Sequence, residues 1–137
     1  MRYWLMKSEP DAFSWDDLVK KGRAEWDGVR NHTAQINMRT MELGDRAFFY
    51  HSNIGLQCVG IMEIARTAAQ DSTDPTGKWM AVEVAPVKPL NRFVTLKEIK
   101  AEPALASMEL IRQSRLSVAP VRPEEWKKIL EMAETKE

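Results

Sequence analysis

The run EWDGVRNH, residues 25–32, gathers Trp26, Asp27, Gly28, Arg30, Asn31 and His32, so that several specific hydrogen-bonding groups surround one aromatic. That mixture suits non-covalent recognition of a flat heterocycle better than bond-breaking chemistry. A tryptophan face stacks on a base for ~1–3 kcal/mol. An asparagine offers two donors and an acceptor to a base edge, and an arginine fork matches a phosphate. Each group also has a purely structural reading. Trp26 can anchor a turn in the core, with Asp27 as its cap and Gly28 supplying a positive φ. Arg30 can pair with a nearby acid. Downstream, Arg39 either extends a basic rim or is a solvated surface arginine. His51, Ser52 and Asn53 end a strand, where they line a cavity mouth or include a structural histidine. Lys7 and Ser8 leave the first strand, facing a ligand or steadying the turn before Pro10. In RQSRLSVAPV, Arg112 and Arg115 stand beside Ser114 and Ser117, a pattern that serves a phosphate clamp or a clamp on backbone carbonyls.

Patterns that carry catalysis are missing. There is no G-x-S-x-G, H-E-x-x-H, Walker loop or G-x-G-x-x-G. The two histidines, His32 and His51, are not spaced as a metal pair on one element. Cys58 is the one cysteine; it sits in the apolar run LQCVGI as a buried small hydrophobe, without a disulfide partner. Asp16 and Asp17 belong to a helix N-terminus. A non-catalytic protein without metal or cofactor is therefore expected. The 20 basic and 20 acidic residues cancel, which argues against a strongly phosphate-driven binder but leaves room for a local basic cleft. The 137 residues make one domain, 1–137, with enough apolar content for one core. MRYWLMK is too short an apolar stretch for a signal peptide, and no run has bilayer length. A cytoplasmic protein with no membrane partner is the expectation.

These groups need a frame to hold them. RYWLMK reads as a strand, followed by a loop in which Pro10 restricts Glu9 to extended backbone. Ser14 caps a short helix over WDDLVKK, closed by Gly22. EWDGVRN is a turn, and Thr33 is the expected cap of a second helix, AQINMRTM. RAFFYHS and GLQCVGIMEIART read as neighbouring paired strands, with Gly60 marking a bulge or a close backbone approach. AAQDSTDPTGK is a turn-rich loop. WMAVEVAPVKPL is a long strand in which Pro86 and Pro89 imply an edge or a break. Thr95 caps another helix. The last helix, in RPEEWKKILEMAETKE, buries a stripe of Trp126, Ile129, Leu130 and Ala133. Five or six strands with short helices make an α+β protein, with too few helices for a doubly wound sheet. A small curved sheet or partly closed barrel is the natural solution.

The runs YWLMKSEPDAFSWDDL, WDGVRN, NMRTMELGDRAFFYHSN, GIMEI, DPT before KWMAVEV, and LIRQSRLSVAPVRPEEWKKIL cover nearly the whole chain in order. In that order they resemble the EVE domain family of the PUA-like superfamily, relatives of the YTH domains. The resemblance implies a PUA-like, small five- to six-stranded β-barrel surrounded by short helices. It implies recognition of a modified nucleobase, a 5-modified cytosine in DNA more than RNA, extruded into an aromatic-walled pocket. It also leaves open a functional association with a nuclease. Carried over to matching positions, it assigns Lys7, Ser8, Trp26, Val29, Asn31, Tyr50, His51 and Ser52 to the pocket, and Arg30, Arg39 and Arg115 to the nucleic-acid backbone. One stretch departs from the family pattern. An aromatic and then a basic–Asn pair commonly follow WDGVRN; here His32 takes the aromatic position, and Gln35 and Ile36 replace the pair. The lost charge weakens the expectation of tight phosphate binding. Two other functions fit the chain less well: a sensor of free modified nucleosides, favoured by the neutral charge, and an enzyme acting on an RNA base.

Overall fold

The computed structural model describes residues 1–137. Six strands form one mixed sheet in the order β2-β5-β4-β3-β1-β6: β1 (Tyr3–Ser8), β2 (Ala24–Glu25), β3 (Arg46–His51), β4 (Gln57–Gln70), β5 (Met80–Thr95) and β6 (Val118–Val121). Only β1 and β3 run parallel, in register from Tyr3 opposite Arg46 to Ser8 opposite His51. The sheet is open rather than a barrel, which corrects the expectation from the resemblance. Closure needs β2 to pair with β6, but β2 pairs only with β5 and β6 only with β1, so the two remain the ends of the sheet. Helices cover both faces of the sheet. Helices α1 (Trp15–Lys21) and α2 (His32–Thr40) pack on one face, around Trp4, Met6, Trp15, Trp26, Met38 and Phe49. Helices α3 (Leu96–Ala101), α4 (Glu109–Arg112) and α5 (Pro123–Met132) pack on the other, around Leu5, Phe48, Tyr50, Ile99, Leu110, Trp126 and Ile129.

The local signals explain the elements that hold the cleft. Ser14 caps α1 in a reciprocal box with Asp17, and Gly22 ends it in the left-handed region at φ 76°. Thr95 makes the same box with Glu98 on α3. Helix α2 begins one residue after Asn31, whose Oδ1 accepts from Ala34 N at 2.9 Å; Asn31, not Thr33, is its cap. Gly60 combines both expected roles. The β3–β4 and β4–β5 registers shift beside it, and a Cβ there would lie 2.5 Å from the Trp15 ring. Strand β5 continues through Pro86 and Pro89 to Thr95. It tolerates them because its β2 partner pairs only with Glu83 and Val84, so beyond these residues β5 is a sheet edge. No helix is long and apolar enough to cross a membrane.

Candidate functional site

A cleft of about 500 Å³ opens where the exit of β1, the Phe13 loop, β2 and the turn before α2 converge. Its walls include Lys7, Ser8, Phe13, Lys21, Trp26, Asp27, Val29, Arg30, Asn31 and Ser117. The volume falls within the range of sites that bury a small ligand. Trp26 is only 7% exposed. The edges of Phe13 and Phe49 hold its indole, with centroids at 6.4 and 5.4 Å and planes close to perpendicular. It is thus both a core residue and a wall. Its ring N–H has no protein partner and is not among the buried side-chain atoms without a hydrogen bond, so it lies within reach of solvent. Asn31 spends its carbonyl oxygen on the α2 cap, which leaves its amide N–H groups for a ligand.

The turn that carries Trp26 is fixed from 43 residues away. Gly28 adopts φ 78°, and its N–H donates to Asp71 Oδ2 at 2.8 Å. The same oxygen takes Arg30 Nη1 at 2.9 Å, while Asp71 Oδ1 accepts from the Thr73 N–H and hydroxyl. Asp71 is completely buried. Burial alone would raise its pKa; the hydrogen bonds from Thr73, Arg30 and Gly28 outweigh burial and hold the carboxyl well below the usual range. Gln35 does similar work from α2. Its Nε2 donates to Val29 O and Met80 O, and its Oε1 accepts from Met80 N. At 2% exposure, Gln35 is spent on these backbone bonds. His32 lies against Trp79, centroids 5.4 Å apart and planes 33° from parallel. Ile36 is 59% exposed and stands with His32, Gln35, Arg39, Lys78 and Trp79 at a separate hollow, so the local departure from the family pattern lies outside the Trp26 cleft.

Of the predicted pocket residues, Lys7, Ser8, Trp26, Val29 and Asn31 meet in the cleft, joined by Arg30. Ser8 Oγ also donates to Phe13 O at 2.6 Å, tying down the loop, and Lys7 Nζ donates to Ser114 O at 2.8 Å. Burial lowers the Lys7 pKa. Tyr50, His51 and Ser52 do not line this cleft, although Lys7 also reaches a second hollow, its Nζ 6.0 Å from the centre of the Tyr50 ring. Alternation along β3 sends Phe49 to the Trp26 face and Tyr50 to the opposite one. There Tyr50 and Ser52 line this second hollow, of about 390 Å³, next to Lys100, Ser114 and Arg115. His51 is structural. Its Nε2 accepts from Trp15 N at 3.1 Å, and its ring meets Phe49 edge-on at 5.5 Å. Burial lowers its pKa, partly opposed by Asp16. Arg30 takes the structural reading, its fork donating to Asp71, Val29 O and the Thr73 hydroxyl, and it borders the cleft. Arg115 lies with Asn31, Thr33 and Arg112 in a groove that leads from the cleft toward the second hollow. Arg39 stands apart, beside His32, Lys78 and Trp79. None of the ion pairs engages Lys7, Lys21, Arg39, Lys78 or Arg115. No group of three or more His, Cys, Asp or Glu side chains is placed to hold a metal ion.

Sequence reasoning missed Asp71 and Gln35, whose partners lie far along the chain, and it gave no cleft role to Phe13, Lys21 or Asp27. The clue for Asp71 was the turn-rich QDSTDPT, but nothing local says which turn it braces.

A two-faced α+β sheet with one aromatic-walled cleft, flanked by unpaired cations, defines a small ligand-binding domain. The chain belongs to the EVE domain family, which matches residues 2–132. Thymocyte nuclear protein 1 of Mus musculus is 41% identical, across 97% of this chain and 74% of the mouse protein. A protein of Rhodopseudomonas palustris solved by NMR has a TM-score of 0.93 at 52% identity, covering 98% of this chain and 94% of that one. Human THYN1, solved in complex with DNA containing 5-methylcytosine, has a TM-score of 0.93 at 34% identity, covering 100% of both chains. An ASCH protein of Zymomonas mobilis, at 12% identity and a TM-score of 0.60, shares the fold alone.

Proposed function

We propose that this protein is a non-catalytic reader of 5-modified cytosine in DNA, holding the extruded base in the Trp26 cleft. The observation that carries the reading is the cleft itself. It is open to solvent, walled on one side by an aromatic with a free ring N–H, and bordered by an amide whose donors are unused. The likeness to human THYN1 in complex with 5-methylcytosine-containing DNA supports the same ligand class. Flipping a base costs a few kcal/mol, which stacking and edge hydrogen bonds must return. The groove past Asn31 to Arg115 gives the flanking strand a path with cations on it. The modification adds little by itself: burying one methyl-sized group contributes about 0.8 kcal/mol, roughly a fourfold preference. Recognition without turnover needs a second protein to act on the mark, and a nuclease is the partner class that fits.

Fluorescence titration with oligonucleotides carrying one cytosine or one 5-methylcytosine tests this. Trp26→Phe is the informative variant, because Trp26→Ala would also unseat Phe13 and Phe49 and cost about 3–5 kcal/mol of stability. The wild type is expected to favour 5-methylcytosine severalfold, and Trp26→Phe to bind at least about tenfold more weakly while staying folded. Equal, weak binding to every oligonucleotide, unchanged in the variant, would remove the reading.

A further inference from the structure

Asp27 projects into the cleft from the same turn as Trp26, is exposed, and has no partner. Its neighbours are all committed. Asp71 holds Gly28, Arg30 and Thr73. Glu25 takes the Ser72 hydroxyl at 2.5 Å, and Glu83 binds Arg23 and Arg66 at 2.6 Å each. No N–H or O–H of the protein donates to Asp27, and it forms no ion pair, although Lys21 and Arg30 border the same cleft. It does not cap its own turn, the role its position suggests; Asp71 performs that role from outside. An ionised carboxylate is an acceptor and nothing else, so the group that completes it is an N–H. Partial burial raises its pKa first, with further contributions from Asp71 and Glu25, and Lys21 and Arg30 pull the other way. An arriving donor relieves that unfavourable setting.

We propose that Asp27 is the specificity-determining acceptor of the cleft, taking a hydrogen bond from the exocyclic amine of the bound base, so that the site admits aminopyrimidines and rejects their keto counterparts. This rests on the reading of the cleft as a base pocket and adds which edge of the base is read. Carboxylates accept from the cytosine amine in duplex recognition for the same reason. Thymine has the ring and the 5-methyl group of 5-methylcytosine but presents a carbonyl oxygen where the amine stands. In the cleft that oxygen would face the Asp27 carboxylate, with neither acceptor supplied by a donor. A methyl group discriminates weakly; a site that requires a hydrogen bond discriminates strongly. The preference for amine over keto should therefore exceed the preference for methylated over plain cytosine.

The test is titration of single-stranded oligonucleotides identical except for one 5-methylcytosine or thymine, which removes any difference in pairing cost. Wild-type protein is expected to prefer 5-methylcytosine by about tenfold or more. In Asp27→Asn the carboxamide can turn either its oxygen or its N–H toward the base, so the ratio should fall to about threefold or less, mainly through tighter binding of thymine. Asp27 makes no hydrogen bond or ion pair in the fold, and its charge is disfavoured there, so the thermal midpoint of Asp27→Asn should not fall. A wild-type ratio below about twofold overturns the assignment, and that measurement does not depend on any variant folding. A folded Asp27→Asn that keeps the wild-type ratio also overturns it. If both oligonucleotides bind equally and Trp26→Phe weakens both, this assignment falls while the base-pocket reading stands. If wild-type protein binds neither oligonucleotide, both fall.

Discussion

Two titratable side chains set how firmly the cleft is held, and both make the molecule acid-sensitive. The folded-state pKa of Asp71 is depressed by its donors, whereas an unfolded aspartate titrates near 3.9. The stability it contributes is therefore fully present above about pH 4 and is lost as pH falls below that. The His51 pKa is lowered by burial, so the unfolded chain, titrating near 6.5, takes up the proton first. Its contribution is present above about pH 6.5 and declines below it. Urea midpoints measured from pH 8 to pH 3 should fall in two stages, a shallow one below about pH 6.5 and a steep one below about pH 4. His51→Gln keeps an acceptor for the Trp15 N–H and should erase only the first stage. A flat profile between pH 7 and 5 in the wild type would contradict the role given to His51. Both residues illustrate the limit of local reading. The sequence left His51 open between a ligand and a structural group, and its one partner, the Trp15 backbone N–H, lies 36 positions away.

Helix α2 joins the fold to the cleft through its N-cap. Asn31 caps the helix with its oxygen and borders the cleft with amide N–H groups that the fold leaves unused, so the cap and a ligand contact can be separated by substitution. Serine caps about as well as asparagine but brings no amide. Asn31→Ser should leave stability within about 0.5 kcal/mol of wild type and still weaken base binding. Asn31→Ala should lose about 1 kcal/mol of stability as well. Denaturant melts beside the same titrations check both; binding that survives Asn31→Ser intact would show that the amide does not meet the ligand. Element-level signals were otherwise the most legible part of the chain. The capped ends of α1 and α3 follow from residues within a few positions of one another, and β3 and β4 are consecutive strands joined by a short turn, whereas the partner that presses on Gly60 is Trp15, 45 positions away. The α2 start was misread by two residues because Asn31 and Thr33 are both good caps, and only the hydrogen bond to Ala34 decides between them.

Over the whole molecule the charge is balanced. Lys21, Arg39, Lys78 and Arg115 form no ion pair and lie at the cleft, along the groove or at the neighbouring hollow, so a bound strand would find a few free cations there. A strand bound along this rim meets few phosphates, so log K against log salt should have a shallow slope, about −2 to −4 for some three to five contacts. Calorimetry of the same oligonucleotide between 50 and 300 mM salt measures it. A slope near zero, with a free nucleoside binding as tightly as the oligonucleotide, would favour a nucleoside sensor over a reader of DNA.

By itself the sequence determined the binding turn, the helix caps, the α+β class and the list of groups suited to a base, because each depends on backbone preferences and side-chain chemistry acting over a few residues. Tertiary structure decided which of those groups share a space. It left the sheet open, with β2 paired to β5, β6 paired to β1, and neither paired to the other. It put Tyr50 and Trp26 on opposite faces, since alternation fixes relative direction along β3 but not which face α2 will cover. It also gave the Gly28 turn to Asp71 and left Asp27 without a partner, an outcome that depends on two loops meeting across more than forty residues.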